Sequence, residues 1–203
     1  MIRNALLVIA LGISFQSIAQ NANDALINAF TESYKQEAAK DYDKAIKALK
    51  TAGAENLYEA NVRMGWLYYS KKDYVQSSRA YQAALNLKPK SIDAALGYVN
   101  AEAGLQNWDN VFEAYKKILT NDPNNSTANY RIALMYFYRK DYVNAQVYLQ
   151  HVLDLYPFDY DSMLLMAQTK AAAGKLTEAK TWYEKVLLYN PSDNAIKKLL
   201  SKM

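Results

Sequence analysis

Residues 58–91 read YEANVRMGWLYYSKKDYVQSSRAYQAALNLKPKS, and the fold follows from this stretch. Met64, Leu67 and Tyr68 recur at helical spacing until the polar run Ser70-Lys71-Lys72-Asp73 interrupts them. A second helical run carries Tyr74, Ser77, Tyr81, Ala84 and Leu85 and stops at Leu87-Lys88-Pro89. Proline lacks the amide hydrogen that a continuing helix needs, and it restricts the residue before it. The stretch therefore predicts two helices folded back as a hairpin.

The hairpin recurs. All four prolines, Pro89, Pro123, Pro157 and Pro191, stand 34 residues apart. On the same period Tyr74, Trp108, Tyr142 and Leu176 align, as do Tyr81, Tyr115, Leu149 and Tyr183, and Leu85, Leu119, Leu153 and Leu187. Two further columns are small or compact: Gly65, Val99, Ala133 and Ala167, and Ser77, Val111, Ala145 and Ala179. Small residues let helices approach closely. A fixed period of this length marks a stacked repeat, because one short hairpin cannot bury its own apolar faces and the terminal one needs a cover. Tyr74, Tyr81, Tyr115, Tyr142 and Tyr183 are expected in the core.

At these positions the chain resembles the tetratricopeptide repeat family, with its small residue in the first helix, aromatic near the turn, small residue in the second helix and closing proline. The match is best in residues 58–91, through Gly65, Tyr68, Asp73-Tyr74, Ala84 and Pro89, and in residues 126–159, through Ala133, Tyr136, Asp141-Tyr142, Ala145 and Pro157. The resemblance implies an all-α fold, a right-handed α-solenoid of about five stacked helical hairpins. The repeats would span 26–57, 58–91, 92–125, 126–159 and 160–193 of a single domain over 20–203, closed by a capping helix over 194–203 with Ala195, Ile196, Leu199 and Leu200 on one side. Two repeats depart from the pattern. In 92–125 the turn looks stretched through Gly104-Leu105-Gln106-Asn107 and Glu102 replaces the aromatic, so a shorter first helix is expected. In 26–57, Lys40-Asp41-Tyr42-Asp43-Lys44-Ala45 fits, but Ala45 to Ser77 is 32 residues and no proline closes the unit.

Met1 to Ala19 reads as an export signal: no acid, one base at Arg3, an apolar run from Ala5 to Phe15, then Ser17-Ile18-Ala19. Cleavage before Gln20 is expected, and retention as an anchor is the alternative. The run is too short to span a bilayer, which takes about 20 residues. No cysteine is present, so neither a lipid-bearing N-terminal cysteine nor a disulfide is available. Export without disulfides points to a bacterial periplasm or the cell exterior. Without Arg3 the chain carries 23 basic and 20 acidic residues, net +3, and Lys170 to Lys202 is its most basic part, with seven lysines against three acids. A solvated helix face explains such a run most simply; an acidic partner or membrane surface is the other reading. Nucleic acid does not fit an exported chain.

The residue inventory argues against an enzyme. Thiol catalysis and thiolate metal sites are excluded, and a single histidine, His151, excludes a multi-histidine metal centre. No nucleophile elbow or phosphate-binding loop is present. No catalytic, cofactor or metal residue is therefore assigned.

What remains is shape. The family resemblance implies that the first helices line a concave groove for an extended peptide or partner helix. The period then gives the columns Trp66, Asn100, Leu134 and Gln168; Arg63, Gly97, Arg131 and Leu165; and Tyr69, Ala103, Phe137 and Ala171, with Tyr130 and Tyr138 adjoining. Expected partner-binding residues are Arg63, Trp66, Tyr69, Asn100, Tyr130, Arg131, Phe137, Tyr138 and Gln168. Aromatic residues with arginine suit protein contact, and each arginine can grip a carboxylate through two parallel hydrogen bonds. The family's lysine and asparagine clamp for a terminal carboxylate is matched only by Asn100 and Arg131, so that activity is not carried over. Gly97 and Gly104 would either leave a notch in the groove or, for Gly104, simply end a helix. The expected function is a non-catalytic envelope scaffold for another protein; the alternatives are a glycan-binding module or an accessory subunit of an envelope enzyme or secretion complex. Oligomeric state is open.

Overall fold

The computed structural model describes residues 23–203, which form helices joined by short turns and contain no strand. The expected signal segment lies outside these residues. They divide into two compact units, one ending at Asn107 and the other running from Trp108 to Met203. The first holds α1 (23–38), α2 (Tyr42–Thr51), a one-turn 3-10 helix (Ala54–Asn56), α3 (Tyr58–Ser70), α4 (Tyr74–Leu87) and α5 (Ile92–Gly104). The second holds α6 (Trp108–Asn121), α7 (Ser126–Tyr138), α8 (Tyr142–Leu155), α9 (Tyr160–Ala172), α10 (Leu176–Tyr189) and α11 (Asn194–Leu200). No described helix is long and apolar enough to cross a membrane.

Two columns of residues build the turns. Lys72, Gln106, Lys140 and Gly174 stand 34 apart and share a left-handed backbone, with φ between 61° and 77°, which reverses the chain within a hairpin. Lys40, 32 residues before Lys72, does the same at φ 60°. Ser91, Asn125, Asp159 and Asp193, again 34 apart, cap the helices that follow by accepting the amides of Ala94, Ala128, Ser162 and Ile196. Asp41, Asp73 and Asp141 cap α2, α4 and α8 in the same way.

The expectation of a shorter helix in 92–125 is corrected. α5 has 13 residues, as many as α3, α7 and α9. Leu105, Gln106 and Asn107 make an ordinary turn in which the Asn107 amide returns to the Glu102 carbonyl at 2.9 Å. The buried Glu102 carboxylate accepts from Ser78 and, at 3.0 Å, from the Asn107 side chain, so hydrogen bonding fills the position that an aromatic holds elsewhere. The N-terminal repeat lacks its proline because α2 is only 10 residues and Gly53, at φ 65°, turns the chain into the 3-10 segment.

The glycines of α5 are corrected too. A methyl group on Gly97 would stand 2.2 Å from the Tyr81 ring, and one on Gly65 would stand 2.8 Å from it. Tyr81 of α4 is thus clamped between two glycines, and what the sequence offered as a notch is filled. Gly104 is the last residue of α5, but its Cβ would lie 2.7 Å from Tyr74, so close approach decides that residue.

In unit 1, Ala45, Ile46, Leu49, Met64, Leu67 and Ala80 form one cluster. In unit 2, Leu149, Leu153, Met163, Met166, Tyr183, Val186 and Ile196 form another, with Leu200 packed against it, so α11 supplies the expected cover through two of its four apolar residues. Tyr81, Tyr115 and Tyr183 are buried as expected, whereas Tyr74 and Tyr142 are half-buried. Ser162 stands in register with Ala60, Ala94 and Ala128, all fully buried, and its hydroxyl has no hydrogen-bond partner. Ser162→Ala is expected to raise the stability of unit 2 by about 1 kcal/mol in urea unfolding, because an unpaired buried hydroxyl costs roughly 1–3 kcal/mol; a loss of stability would show that the hydroxyl has a use.

Candidate functional site

The expected binding residues fall on first helices: Arg63, Trp66 and Tyr69 on α3 and Asn100 on α5 in unit 1, Tyr130, Arg131, Phe137 and Tyr138 on α7 and Gln168 on α9 in unit 2. The two sets have different chemistry.

In unit 1, Arg63 is not a free ligand for a partner. It is only 8% exposed, and its guanidinium pairs with Glu37 of α1 at 2.6 Å, donates to Ser33 at 3.3 Å and lies 3.8 Å from the centre of the Tyr34 ring. The same Glu37 accepts from the Trp66 indole at 2.6 Å. Burial works against the Glu37 carboxylate, yet the hydrogen bonds from Trp66 and Arg63 and the Arg63 charge outweigh it, and its pKa lies below the ordinary value. Trp66 remains about half exposed, 48%, with its ring stacked on Tyr69 at 6.2 Å; Tyr69 also meets Tyr74 at 5.5 Å. Asn100 is exposed. The surface is an aromatic ledge of Tyr34, Trp66 and Tyr69 held rigid by an internal ion pair.

Sequence reasoning missed Tyr34 and Glu37. The signal was present, because the first repeat is offset by 32 residues rather than 34: that shift carries Trp66 onto Tyr34 and Tyr69 onto Glu37.

In unit 2, Arg131 is exposed and forms no ion pair among the described residues. It lies near the buried Tyr115, whose phenol pKa is raised by burial and pulled back by the Arg131 charge. Tyr138 is 75% exposed, meeting Phe137 edge-on at 5.7 Å, and Phe137 is half-buried against Tyr142. Tyr130 is half-buried against the core, and burial first, then Asp161, raises its phenol pKa. Gln168 is exposed; Leu165, expected beside it, is buried in the core and leaves the surface. Among the described residues no group of three metal-ligating side chains converges.

Two models, each described as a tetratricopeptide repeat, match residues 58–91 and 136–203. The chain belongs to the tetratricopeptide repeat family. None of the curated proteins matches it. Solved structures are similar in fold. A tetratricopeptide repeat protein from Parabacteroides merdae aligns with TM-score 0.75 at 17% identity, covering 88% of this chain and 72% of that one. MamA from Desulfovibrio magneticus aligns with TM-score 0.70 at 16% identity, covering 84% and 98%. YrrB, described as a tetratricopeptide repeat protein with an unusual peptide-binding site, aligns with TM-score 0.71 at 14% identity, covering 92% and 97%. Folds of this family are generally non-catalytic scaffolds for protein interaction.

Proposed function

We propose that the chain is a non-catalytic scaffold of the bacterial envelope that binds a partner protein or extended peptide on its first-helix faces. The observation that carries this reading is on α7: Arg131, exposed and free of any ion pair among the described residues, shares one helix with the largely exposed Tyr138. The unpaired guanidinium and the exposed aromatic lie two turns apart on one helix, and arginine and tyrosine are among the residues that dominate binding hot spots. The peptide-binding site noted for YrrB supports the reading by analogy of fold only. Export to the periplasm or beyond rests on the Met1–Ala19 segment.

Arg131→Ala with Tyr138→Ala is expected to leave the unfolding midpoint within a few degrees of wild type, since both side chains are exposed. The same pair should cost about tenfold or more in affinity for the partner recovered from envelope extract and then purified. Equal binding by wild type and variant would move the interface elsewhere. A second reading, glycan binding, is favoured by the Trp66 ledge of unit 1, whose half-exposed indole is fixed by Glu37. Carbohydrate retention lost in Trp66→Ala alone would select it.

A further inference from the structure

The four closing turns of the repeat carry the same proline in different company. The flanking residues are Lys88 and Lys90 at Pro89, Asp122 and Asn124 at Pro123 and Asn190 and Ser192 at Pro191, but Tyr156 and Phe158 at Pro157. A turn that is charged or polar in three of its four copies is doubly aromatic in this one, and both aromatics are more than half exposed. The end of α10 adds Leu188, 72% exposed, and Tyr189. The Phe158 and Tyr189 rings meet at 5.2 Å, which joins the turn and the helix end into one apolar edge, and Tyr160 supports Tyr189 from beneath at 5.3 Å. Tyr156 and Leu188 make no such contact among the described residues. Their exposure serves no packing in unit 2, and local rules broken without a structural gain mark candidate function.

The charge is one-sided along the C-terminal stretch that carries Leu188 and Tyr189, while by the Pro157 turn Asp154 accepts from Gln150, Asp159 caps α9 and Asp161 follows in its first turn. Of the three acids between Lys170 and Lys202, Glu178 pairs with Lys170 and Lys175, and Asp193 caps α11. Lys180, Lys185, Lys197, Lys198 and Lys202 form no ion pair among the described residues, leaving five lysines against Glu184. Lys185 lies one helical turn before Tyr189, and Lys197 and Lys198 follow on α11, directly after the Pro191 turn. Tyrosine and phenylalanine rings settle at the headgroup level of a bilayer, and lysines beside them reach the lipid phosphates. An acidic protein would satisfy the lysines, but protruding aromatics on a turn, with cations behind them, suit a soft anionic surface that they can enter.

We propose that the edge formed by Tyr156, Phe158, Leu188 and Tyr189, with Lys185, Lys197 and Lys198, docks unit 2 on an anionic lipid bilayer. The surface is separate from α7, so it goes beyond the scaffold reading and does not depend on it. The chain has no cysteine, which allows a single reporter. The full chain with Ser192→Cys, carrying an environment-sensitive fluorophore on the neighbouring turn, is titrated with phosphatidylglycerol-containing vesicles and with pure phosphatidylcholine vesicles. The emission is expected to shift to the blue and brighten on the anionic vesicles only. Lys185→Gln with Lys197→Gln and Lys198→Gln should raise the lipid concentration needed by about tenfold or more, and Tyr156→Ser with Leu188→Ser should abolish the shift. The same label at Thr51→Cys, in unit 1, should not respond. An unchanged spectrum on anionic vesicles overturns the proposal and leaves an acidic protein as the occupant; so does a shift that survives both sets of substitutions, or one seen equally at Thr51→Cys.

Discussion

Tyr81→Ala is expected to destabilise unit 1 by about 3–5 kcal/mol, the usual loss when a buried aromatic is cut back to a methyl group. The ring is buried between the backbones of α3 and α5, which glycine at 65 and 97 allows to come close. Gly97→Ala meets two opposed effects. A helix-interior alanine gains about 1 kcal/mol over glycine, whereas forcing a methyl into the ring, at 2.2 Å, costs about 1–3 kcal/mol or more because Tyr81 has nowhere to move. The clash wins in the wild-type background. In Tyr81→Ala the ring is gone, the clash vanishes, and Gly97→Ala should become neutral or stabilising. Urea unfolding of the four proteins gives the coupling directly, and additive free energies would sink the account. Burial, and next the Tyr69 hydroxyl, pushes the Tyr81 pKa up to about 12 from 10. The folded protein therefore keeps a proton that the unfolded chain loses, so stability present below pH 10 falls by about 2–3 kcal/mol as pH rises to 12. Tyr81→Phe should flatten this alkaline slope.

The period made the architecture legible because each proline and each packed column is a repeated solution to one local problem. Pro157 ends α8 for the same reason that Pro89 ends α4. What the period concealed is how a single position departs from its column. Gly97 shares a column with Arg63, Arg131 and Leu165, and only the fold reveals that the four meet different neighbours: a tyrosine ring, an internal carboxylate, solvent and a hydrophobic core. Register gives the face of a helix but not the length of the side chain opposite. The capping column from Ser91 to Asp193 was equally regular and could have been read from the sequence, since a short polar side chain recurring just before an apolar-periodic run is a helix-start signal. Register puts Trp66, Tyr130 and Tyr138 alike on the groove face, and Trp66 and Tyr138 are exposed there while Tyr130 is half-buried against the core; the buried state of Arg63 is not legible, because its partner lies in the one repeat whose offset is 32.

Arg63→Ala is expected to destabilise unit 1 by about 2–3 kcal/mol, with its effect on any partner following from that loss. Removing one member of a fully buried pair costs roughly 3–5 kcal/mol; here a quarter of the Glu37 side chain stays exposed, so water recovers part of the penalty. The variant leaves Glu37 with the Trp66 indole alone, strips the Tyr34 ring of the guanidinium beneath it and deprives Ser33 of its donor. Because the folded pKa of Glu37 lies below its ordinary value of 4.5, the stabilisation is fully present above that pH and is lost as pH falls through the folded value. Wild type should thus lose stability on acidification more steeply than Glu37→Gln. Arg63→Met with Glu37→Leu, which removes both charges and keeps apolar volume, should recover most of the stability lost in Arg63→Ala. Urea midpoints measured at neutral pH and again below pH 4 decide the matter: an Arg63→Ala protein as stable as wild type at neutral pH would mean that the pair is incidental and the guanidinium is available to a ligand after all. A partner-binding defect in Arg63→Ala therefore reports the integrity of α1 against α3, whereas Trp66→Ala, which removes a half-exposed ring and spares the ion pair, reports the ledge itself.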